Sequence, residues 1–175
     1  MVKTTSSSTV MLDAVDWQIL AIVQEEARIS FAELGRRIGM STPAAAERMR
    51  QLEATGVIRG YRAELDLARI GRPVLAIVRM SVVGDVFTRV TAAIRSSPEV
   101  LECHRGTGAD SFTIKVAVAS IEDLEHLIDK LTPFGTTSTS IVLSSPVPWR
   151  ALAPPAAAKP GAGGNVPRRG GARRG

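Results

Sequence analysis

The sequence predicts an α+β fold with two domains, an N-terminal winged helix-turn-helix domain and a C-terminal ferredoxin-like βαββαβ domain. Two short amphipathic segments joined by a glycine occupy residues 28–61, as in a helix-turn-helix. Residues 73–148 follow the order strand, helix, strand, strand, helix, strand. Residues 1–10 and the Ala, Pro, Gly and Arg tail at 151–175 are predicted to be disordered, because they have little apolar area to bury.

The first domain, residues 11–61, is predicted to contain three helices. Residues 12–26 form the first helix, with Asp13 as its cap. The second begins at Phe31, because Ser30 and Glu33 are spaced as a capping box in which each side chain binds the other's backbone N–H. The apolar positions of both helices recur at helical spacing: Val15, Ile19, Ile22 and Val23, then Phe31, Leu34 and Ile38.

The third helix lies between a left-handed turn at Gly39 and a stop at Gly56. Thr42 before Pro43 marks its start, because proline costs nothing at the first helical position. Ala45, Met49 and Leu52 are predicted to face inward. The opposite face, small near its start and basic further on, can enter the major groove of DNA. It carries Thr42, Pro43, Ala46, Glu47 and Arg50.

Six arginines fall between residues 36 and 62, whereas Asp13, Asp16, Glu25 and Glu26 lie on the first helix. This separation predicts one face that binds phosphates. We expect Arg50, Thr42, Pro43 and Ala46 to contact the groove, with Ser41 and Glu47 beside them, and Arg37, Arg59 and Arg62 to contact phosphates. Arg48 is expected either to bind phosphate or to pair with Glu47 or Glu53. An ordinary helical hairpin with solvated arginines is the alternative.

The second domain follows a β-prone segment at 57–65, predicted to be a short strand or wing, and a connecting strand and linker at 62–72. Two helices are expected, at 85–96 and after Ser120, on one face of a four-stranded sheet. The strands are marked by alternating residues: Val74, Ala76, Val78, Met80 and Val82; residues 100–106; Phe112, Ile114, Val116 and Val118; Thr139, Ile141 and Leu143. A second copy of the chain is the simplest cover for the other sheet face, so a homodimer is expected.

Composition narrows the class of protein. The net charge of +5 comes from the tail, which has five basic residues and no acid from residue 151 on. The single cysteine, Cys103, fits a reducing compartment, and no apolar run is long enough to cross a membrane. The protein is therefore expected in the cytoplasm, at the nucleoid. His104 and His126 lack ligand spacing, so we expect no enzyme activity, no metal and no cofactor.

Residues 12–148 resemble the Lrp/AsnC, or feast/famine, family of transcriptional regulators. The matching segments are Leu12-Asp13, Arg28-Ile-Ser, Arg48-Met-Arg-Gln-Leu-Glu and Gly56-Val-Ile-Arg-Gly-Tyr61. The resemblance implies a C-terminal amino-acid-metabolism regulatory domain at 73–148 that binds a small effector and forms dimers, and often octamers. Many relatives carry Gly-x-x-Asp before the third strand, whereas here Ser111 occupies the aspartate position and Asp110 lies one residue early.

Carried onto this chain, the family's effector pocket maps to the turn before the third strand and to part of the last strand. The predicted effector-binding residues are Gly106, Thr107, Gly108, Ala109, Asp110, Ser111, Thr139, Ser140 and Ile141. The first function expected is an effector-responsive regulator that binds a pseudo-palindromic operator in double-stranded DNA. A DNA-architectural oligomer without an effector and a metabolic enzyme with a regulatory domain are the alternatives.

Overall fold

The computed structural model describes residues 9–155. Of these, residues 9–62 and 150–155 form one compact unit, and residues 63–149 form a second. The predictions of disorder for residues 1–8 and 156–175 lie outside the described residues. No helix in the described range is long and apolar enough to span a bilayer.

The first unit contains three helices: α1 (Ala14–Glu25), α2 (Phe31–Ile38) and α3 (Thr42–Ala54). Asp13 caps α1 as predicted, in a reciprocal capping box with Asp16 that was not predicted. Ser30 caps α2 as predicted, but Glu33 does not return the bond to the Ser30 backbone. The core holds Ile19, Leu20, Val23, Leu34, Ala45, Met49 and Leu52. Phe31, which recurs at helical spacing with Leu34 and Ile38, is 46% exposed.

The predicted strand or wing at 57–65 is not formed, and the described residues before Val74 contain no strand. A strand needs a neighbouring strand for its hydrogen bonds, and this part of the chain offers none. The segment is held against α3 instead: the Ile58 N–H donates to the Leu52 carbonyl at 3.0 Å, and the Tyr61 hydroxyl donates to Glu53 Oε1 at 2.9 Å. Hydrogen-bonded turns follow at 67–71.

The second unit has the predicted βαββαβ order, with a short 3-10 helix, Thr132–Phe134, before the last strand. Its elements are β1 (Val74–Ser81), α4 (Phe87–Arg95), β2 (Val100–Arg105), β3 (Phe112–Val118), α5 (Ile121–Leu131) and β4 (Thr136–Ile141). The antiparallel sheet has the order β2-β3-β1-β4. Leu143 lies beyond β4 and is 95% exposed, so its assignment to the last strand was wrong.

Both helices of this unit pack on one face of the sheet. Alternate residues of β1 and β3, among them Val78 and Ile114, are fully buried against Val90 of α4 and Leu127 of α5. The alternation predicted for these two strands is therefore confirmed. The open face of the sheet, opposite the helices, carries the other residues of β1, including Ile77 and Arg79.

Candidate functional site

The turn between α2 and α3 sets the position of α3, and two glycines permit it. Gly39 adopts the predicted left-handed conformation, with φ 70° and ψ 31°. Gly35 is buried, and a Cβ there would lie 2.7 Å from the Met40 carbonyl oxygen. The Met40 N–H also donates to the Gly35 carbonyl at 2.8 Å. Gly35 was not predicted from the sequence, because a glycine inside a helical pattern does not reveal what packs against it.

The exposed face of α3 is the one predicted from its periodicity. Ala45, Met49 and Leu52 are buried, whereas Thr42, Pro43, Glu47 and Arg50 are exposed and Ala46 is half-buried. Ser41 caps the helix, with its Oγ 3.4 Å from the Ala44 N–H, so one predicted DNA contact already has a structural role. The small residues at the helix start leave room for a close approach of a duplex.

Arg48 joins α3 to α1. Its guanidinium donates from Nη2 to Asp13 Oδ2 at 2.7 Å and from Nη1 to Asp16 Oδ1 at 3.0 Å. The predicted partners Glu47 and Glu53 were therefore wrong. The Asp16 N–H and the Arg48 guanidinium both bind the Asp13 carboxylate, and they lower the pKa of that carboxyl. Asp16 is 6% exposed, so this ion pair lies at the edge of the helical core.

Glu33 binds two arginines instead of its predicted backbone partner. Arg36 Nη2 lies 2.6 Å and Arg37 Nε 2.8 Å from Glu33 Oε1, and Arg37 Nη2 also reaches Glu26 at 2.9 Å. The hydrogen bonds from Arg36, and then those from Arg37, lower the pKa of the Glu33 carboxyl to about 2. Arg37, predicted to bind phosphate, thus already has two carboxylate partners.

The arginines and acids of the first unit are not separated in space as predicted. Besides the pairs of Arg36, Arg37 and Arg48, Arg50 pairs with Glu47 on the surface of α3. Arg59 and Arg62 are exposed and form no ion pair with the residues that the structure describes. The sequence could not show this, because Arg48 meets acids 32 and 35 residues away.

In the second unit, the predicted effector turn is tied to the end of β1. The Ser111 N–H donates to the Met80 carbonyl at 2.8 Å, and Ser111 Oγ accepts the Val82 N–H at 3.2 Å. The Ser81 hydroxyl donates to the Ala109 carbonyl at 2.6 Å. These bonds occupy part of the backbone of the turn, while residues 106–109 remain exposed.

Arg79 connects the two predicted effector segments and was not itself predicted as a site residue. Its Nε lies 4.0 Å from Asp110 Oδ2, and its Nη2 donates to Ser140 Oγ at 3.2 Å. Arg79 is the only charged residue in β1, in the run Val-Leu-Ala-Ile-Val-Arg-Met-Ser, and that is the signal that could have identified it. A guanidinium in a strand is a good partner for a carboxylate.

The structure does not bring all the predicted effector residues together. Thr139 and Ile141 pair with Val78 and Ala76, in the register that carries the buried residues of β1. The turn at 106–111 adjoins the far end of β1, at Ser81. Within one chain, Arg79 therefore contacts both Asp110 and Ser140. The other predicted effector residues lie in two separate places, one in the turn and one along β4.

The residues weighed for catalysis or metal binding stand at the surface. His104 is exposed, with Nε2 3.5 Å from Glu102, whose other oxygen lies 3.3 Å from Lys115 Nζ. These two partners, Lys115 first, lower the pKa of the Glu102 carboxyl. Cys103 is exposed but partly desolvated by its neighbours, and this desolvation raises the pKa of its thiol. The described residues hold no group of three or more metal-ligating side chains.

Two family models match the chain: an AsnC-type helix-turn-helix domain at residues 12–53 and an Lrp/AsnC ligand binding domain at residues 75–152. The chain is 35% identical over 133 residues to the HTH-type transcriptional regulator LrpC of Bacillus subtilis, covering 76% of this chain and 92% of LrpC. It is 34% identical over 139 residues to the leucine-responsive regulatory protein of Haemophilus influenzae, covering 75% and 84%.

Solved structures agree with both matches. The structure of Bacillus subtilis LrpC superposes with a TM-score of 0.75 at 34% identity, covering 78% of this chain and 97% of that one. A transcriptional regulator of Neisseria meningitidis in complex with L-Met superposes with a TM-score of 0.77 at 28% identity, covering 81% and 96%. The helix-turn-helix and the βαββαβ unit thus both have counterparts of known structure.

Proposed function

Because the chain belongs to the Lrp/AsnC family of transcriptional regulators, we propose that it binds operator DNA through α3 and adjusts that binding to a small amino acid or related metabolite. The observation that carries the proposal is the pair of surfaces described above. One is the exposed face of α3 in the first unit, and the other is the Arg79, Asp110 and Ser140 cluster in the second.

In the DNA complex, Arg50 reads base edges in the major groove, and Thr42, Pro43 and Ala46 allow α3 to approach closely. Arg59 and Arg62, which have no carboxylate partner among the described residues, bind phosphates and position the duplex. Arg37 contributes only if a phosphate displaces Glu33 and Glu26. Arg48 is assigned to the α1–α3 ion pair and not to DNA.

The operator is pseudo-palindromic if two copies bind it together. The support for a dimer is the open face of the sheet, where Leu75 and Ile77 are half-buried beside Arg79. A second copy of the chain covers this face, and the two α3 helices then meet two half-sites. Larger assemblies, such as an octamer, build on that dimer, and the regulator acts at the nucleoid.

The effector is proposed to bind at the end of the turn 106–111 beside Arg79. An amino acid needs a donor for its carboxylate and an acceptor for its ammonium, and Arg79 and Asp110 provide both within 4.0 Å. A ligand bound there exchanges the Arg79–Asp110 pair for its own two charges. The Neisseria relative crystallised with L-Met supports an amino acid as the class of ligand. Ser111, in place of the usual aspartate, favours a different preference among amino acids.

Calorimetry with the twenty amino acids and their keto-acid relatives tests the effector. We expect at least one to bind the full chain below about millimolar, and Arg79→Gln to weaken it while leaving the melting temperature nearly unchanged. Lys115→Gln, which changes another cation in the next strand, is the matched control. Binding that is equal in both variants, or absent for every compound, contradicts the proposed site.

A second function, a DNA-architectural oligomer without an effector, is favoured by one observation. Ser111 and Ala109 already have intramolecular partners, and Asp110 lies beside Arg79, so the turn is largely satisfied without a ligand. In that case no amino acid binds, while DNA affinity stays high and depends weakly on sequence. Anisotropy on a selected operator and on a random duplex, with and without the amino acids, separates the two functions.

A further inference from the structure

A groove on the helix side of the sheet lies outside both surfaces discussed so far. Two adjoining cavities of about 420 and 240 Å³ open between α4 and β2, and they share Thr91, Arg95 and Arg105. We call this continuous depression the α4–β2 groove. Phe112 and Ile94, both 4% exposed, contribute apolar surface, and Cys103 lines the smaller cavity.

The two arginines of the α4–β2 groove have no acid partner among the described residues, unlike the arginines of α2 and α3. Arg105 lies over the Phe87 ring, with Cζ 4.1 Å from the ring centroid. Stacking orients a guanidinium and leaves its N–H edge available. Thr88 and Thr91 add hydroxyl groups along the same depression.

We propose that the α4–β2 groove binds a small dianionic metabolite, either a phosphate ester or a dicarboxylate. Two guanidinium groups can each bind a carboxylate or phosphate with two parallel hydrogen bonds, which a single charged contact cannot match. The threonine hydroxyls can complete the hydrogen bonding of the anion. The larger depression, of about 420 Å³ and open to solvent, has room for a ligand of a few carbon atoms beyond the charged group.

This site goes beyond the proposed amino-acid effector and is independent of it. The two are adjacent in the chain, since β2 ends at Arg105 and the turn begins at Gly106. A ligand bound to Arg105 therefore lies next to the first residue of that turn. The groove gives the second domain a place to sense a second, acidic metabolite.

Calorimetry on the full chain, with inorganic phosphate and succinate as probes at constant ionic strength, tests the proposal. We expect at least one of them to bind, and Arg95→Gln and Arg105→Gln each to weaken that binding about tenfold or more. Arg89→Gln is the matched control, because Arg89 lies on α4 over the Phe134 ring at 5.4 Å and does not line the groove. Arg105→Lys keeps a cation over Phe87 and is included as a second variant in case Arg105→Gln does not fold.

Cys103, the single cysteine, reports the location of the ligand. A bound dianion is expected to slow alkylation of Cys103 about tenfold at a concentration ten times its dissociation constant. Binding of phosphate but not succinate indicates that the ligand is a phosphate ester, and binding of succinate but not phosphate indicates a dicarboxylate. The proposal is overturned if neither binds more tightly than chloride, if Arg89→Gln loses as much as Arg105→Gln, or if alkylation is unaffected. A lower melting temperature with unchanged binding shows that the arginines are only structural, which also overturns it.

Discussion

Replacing Arg48 with alanine should destabilise the helical unit and should not primarily remove a DNA contact. Arg48 Nη1 lies 3.0 Å from Asp16 Oδ1, and the Asp16 side chain is 8% exposed. Removing the arginine leaves this carboxylate with the Asp13 N–H, which donates to Asp16 Oδ2 at 3.0 Å. The Asp16 carboxylate thus loses its hydrogen bond from Arg48 but keeps the one from the Asp13 N–H.

The expected loss in the free energy of unfolding on Arg48→Ala lies between two limits. A fully exposed ion pair contributes about 0–1 kcal/mol, and breaking a fully buried pair costs about 3–5 kcal/mol. A hydrogen bond to a charged group contributes about 1.5–3 kcal/mol. Since Arg48 is one-third exposed and Asp16 nearly buried, we expect a loss of about 2 kcal/mol in the free energy of unfolding. For a unit of this size, this lowers the melting temperature by about 8–16 °C.

Thermal unfolding of the full chain, followed by circular dichroism, measures this loss. Arg36→Ala is the matched control, because Arg36 pairs with Glu33 in solvent, with a side chain 73% exposed, and should change the melting temperature little. DNA affinity is measured below the melting transition of the variant. If Arg48→Ala has the same melting temperature as the wild type but no longer binds DNA, the predicted structural role is refuted and Arg48 is a phosphate ligand.

Three further predictions concern the same unit. Gly35→Ala places a Cβ against the Met40 carbonyl and should cost about 1–3 kcal/mol of unfolding free energy, measured by urea titration; an unchanged midpoint contradicts the close contact. Arg50→Ala should weaken a specific site by about 1–3 kcal/mol, whereas Arg62→Ala should weaken all duplexes alike, and equal losses on specific and random DNA for Arg50→Ala would show that α3 reads with another face. Glu33 has a folded pKa of about 2, below its ordinary value of 4.5, so its contribution to stability is present above pH 4.5 and is lost as the pH falls toward 2. Glu33→Gln should flatten the change in melting temperature across that acid range, and an unaltered slope would contradict the ion pairs with its two arginines.

The sequence predicted the elements whose causes are local. Ser30 and Ser120 cap helices through an N–H three residues away, so a short stretch of sequence contains the whole interaction. The alternation of β1 and β3 was equally clear, because one face of each strand is buried. The failures at 57–65 and at Leu143 have a different cause, since a β-prone segment becomes a strand only where a neighbour accepts its hydrogen bonds.

The candidate sites were predicted less completely, because they depend on contacts between distant residues. The exposed face of α3 follows from periodicity. Arg48, however, pairs with Asp13 and Asp16 at the start of α1, and Arg37 reaches Glu26 just after the end of α1. Arg79 meets Ser140, 61 residues further on, only because β1 and β4 are neighbours in the sheet. The tail was predicted to be disordered from residue 151, yet the Leu152 N–H and carbonyl bond the Gln24 side chain at 2.8 and 3.2 Å.

The ion pairs on α2 and α3 have a consequence for how DNA affinity responds to salt. An arginine that reaches a phosphate from water releases a condensed counterion and contributes about −0.9 to the slope of log K against log salt concentration. An arginine that must leave a carboxylate exposes that anion, which takes up a cation and cancels most of the release. Of the six arginines between residues 36 and 62, only Arg59 and Arg62 lack a carboxylate partner among the described residues, and these two give a slope of about −1.8 for each copy of the first unit. Six arginines without carboxylate partners would give about −5.4. The carboxylates that pair with the arginines of α2 and α3 thus make DNA affinity less sensitive to changes in cellular ionic strength than the number of arginines suggests.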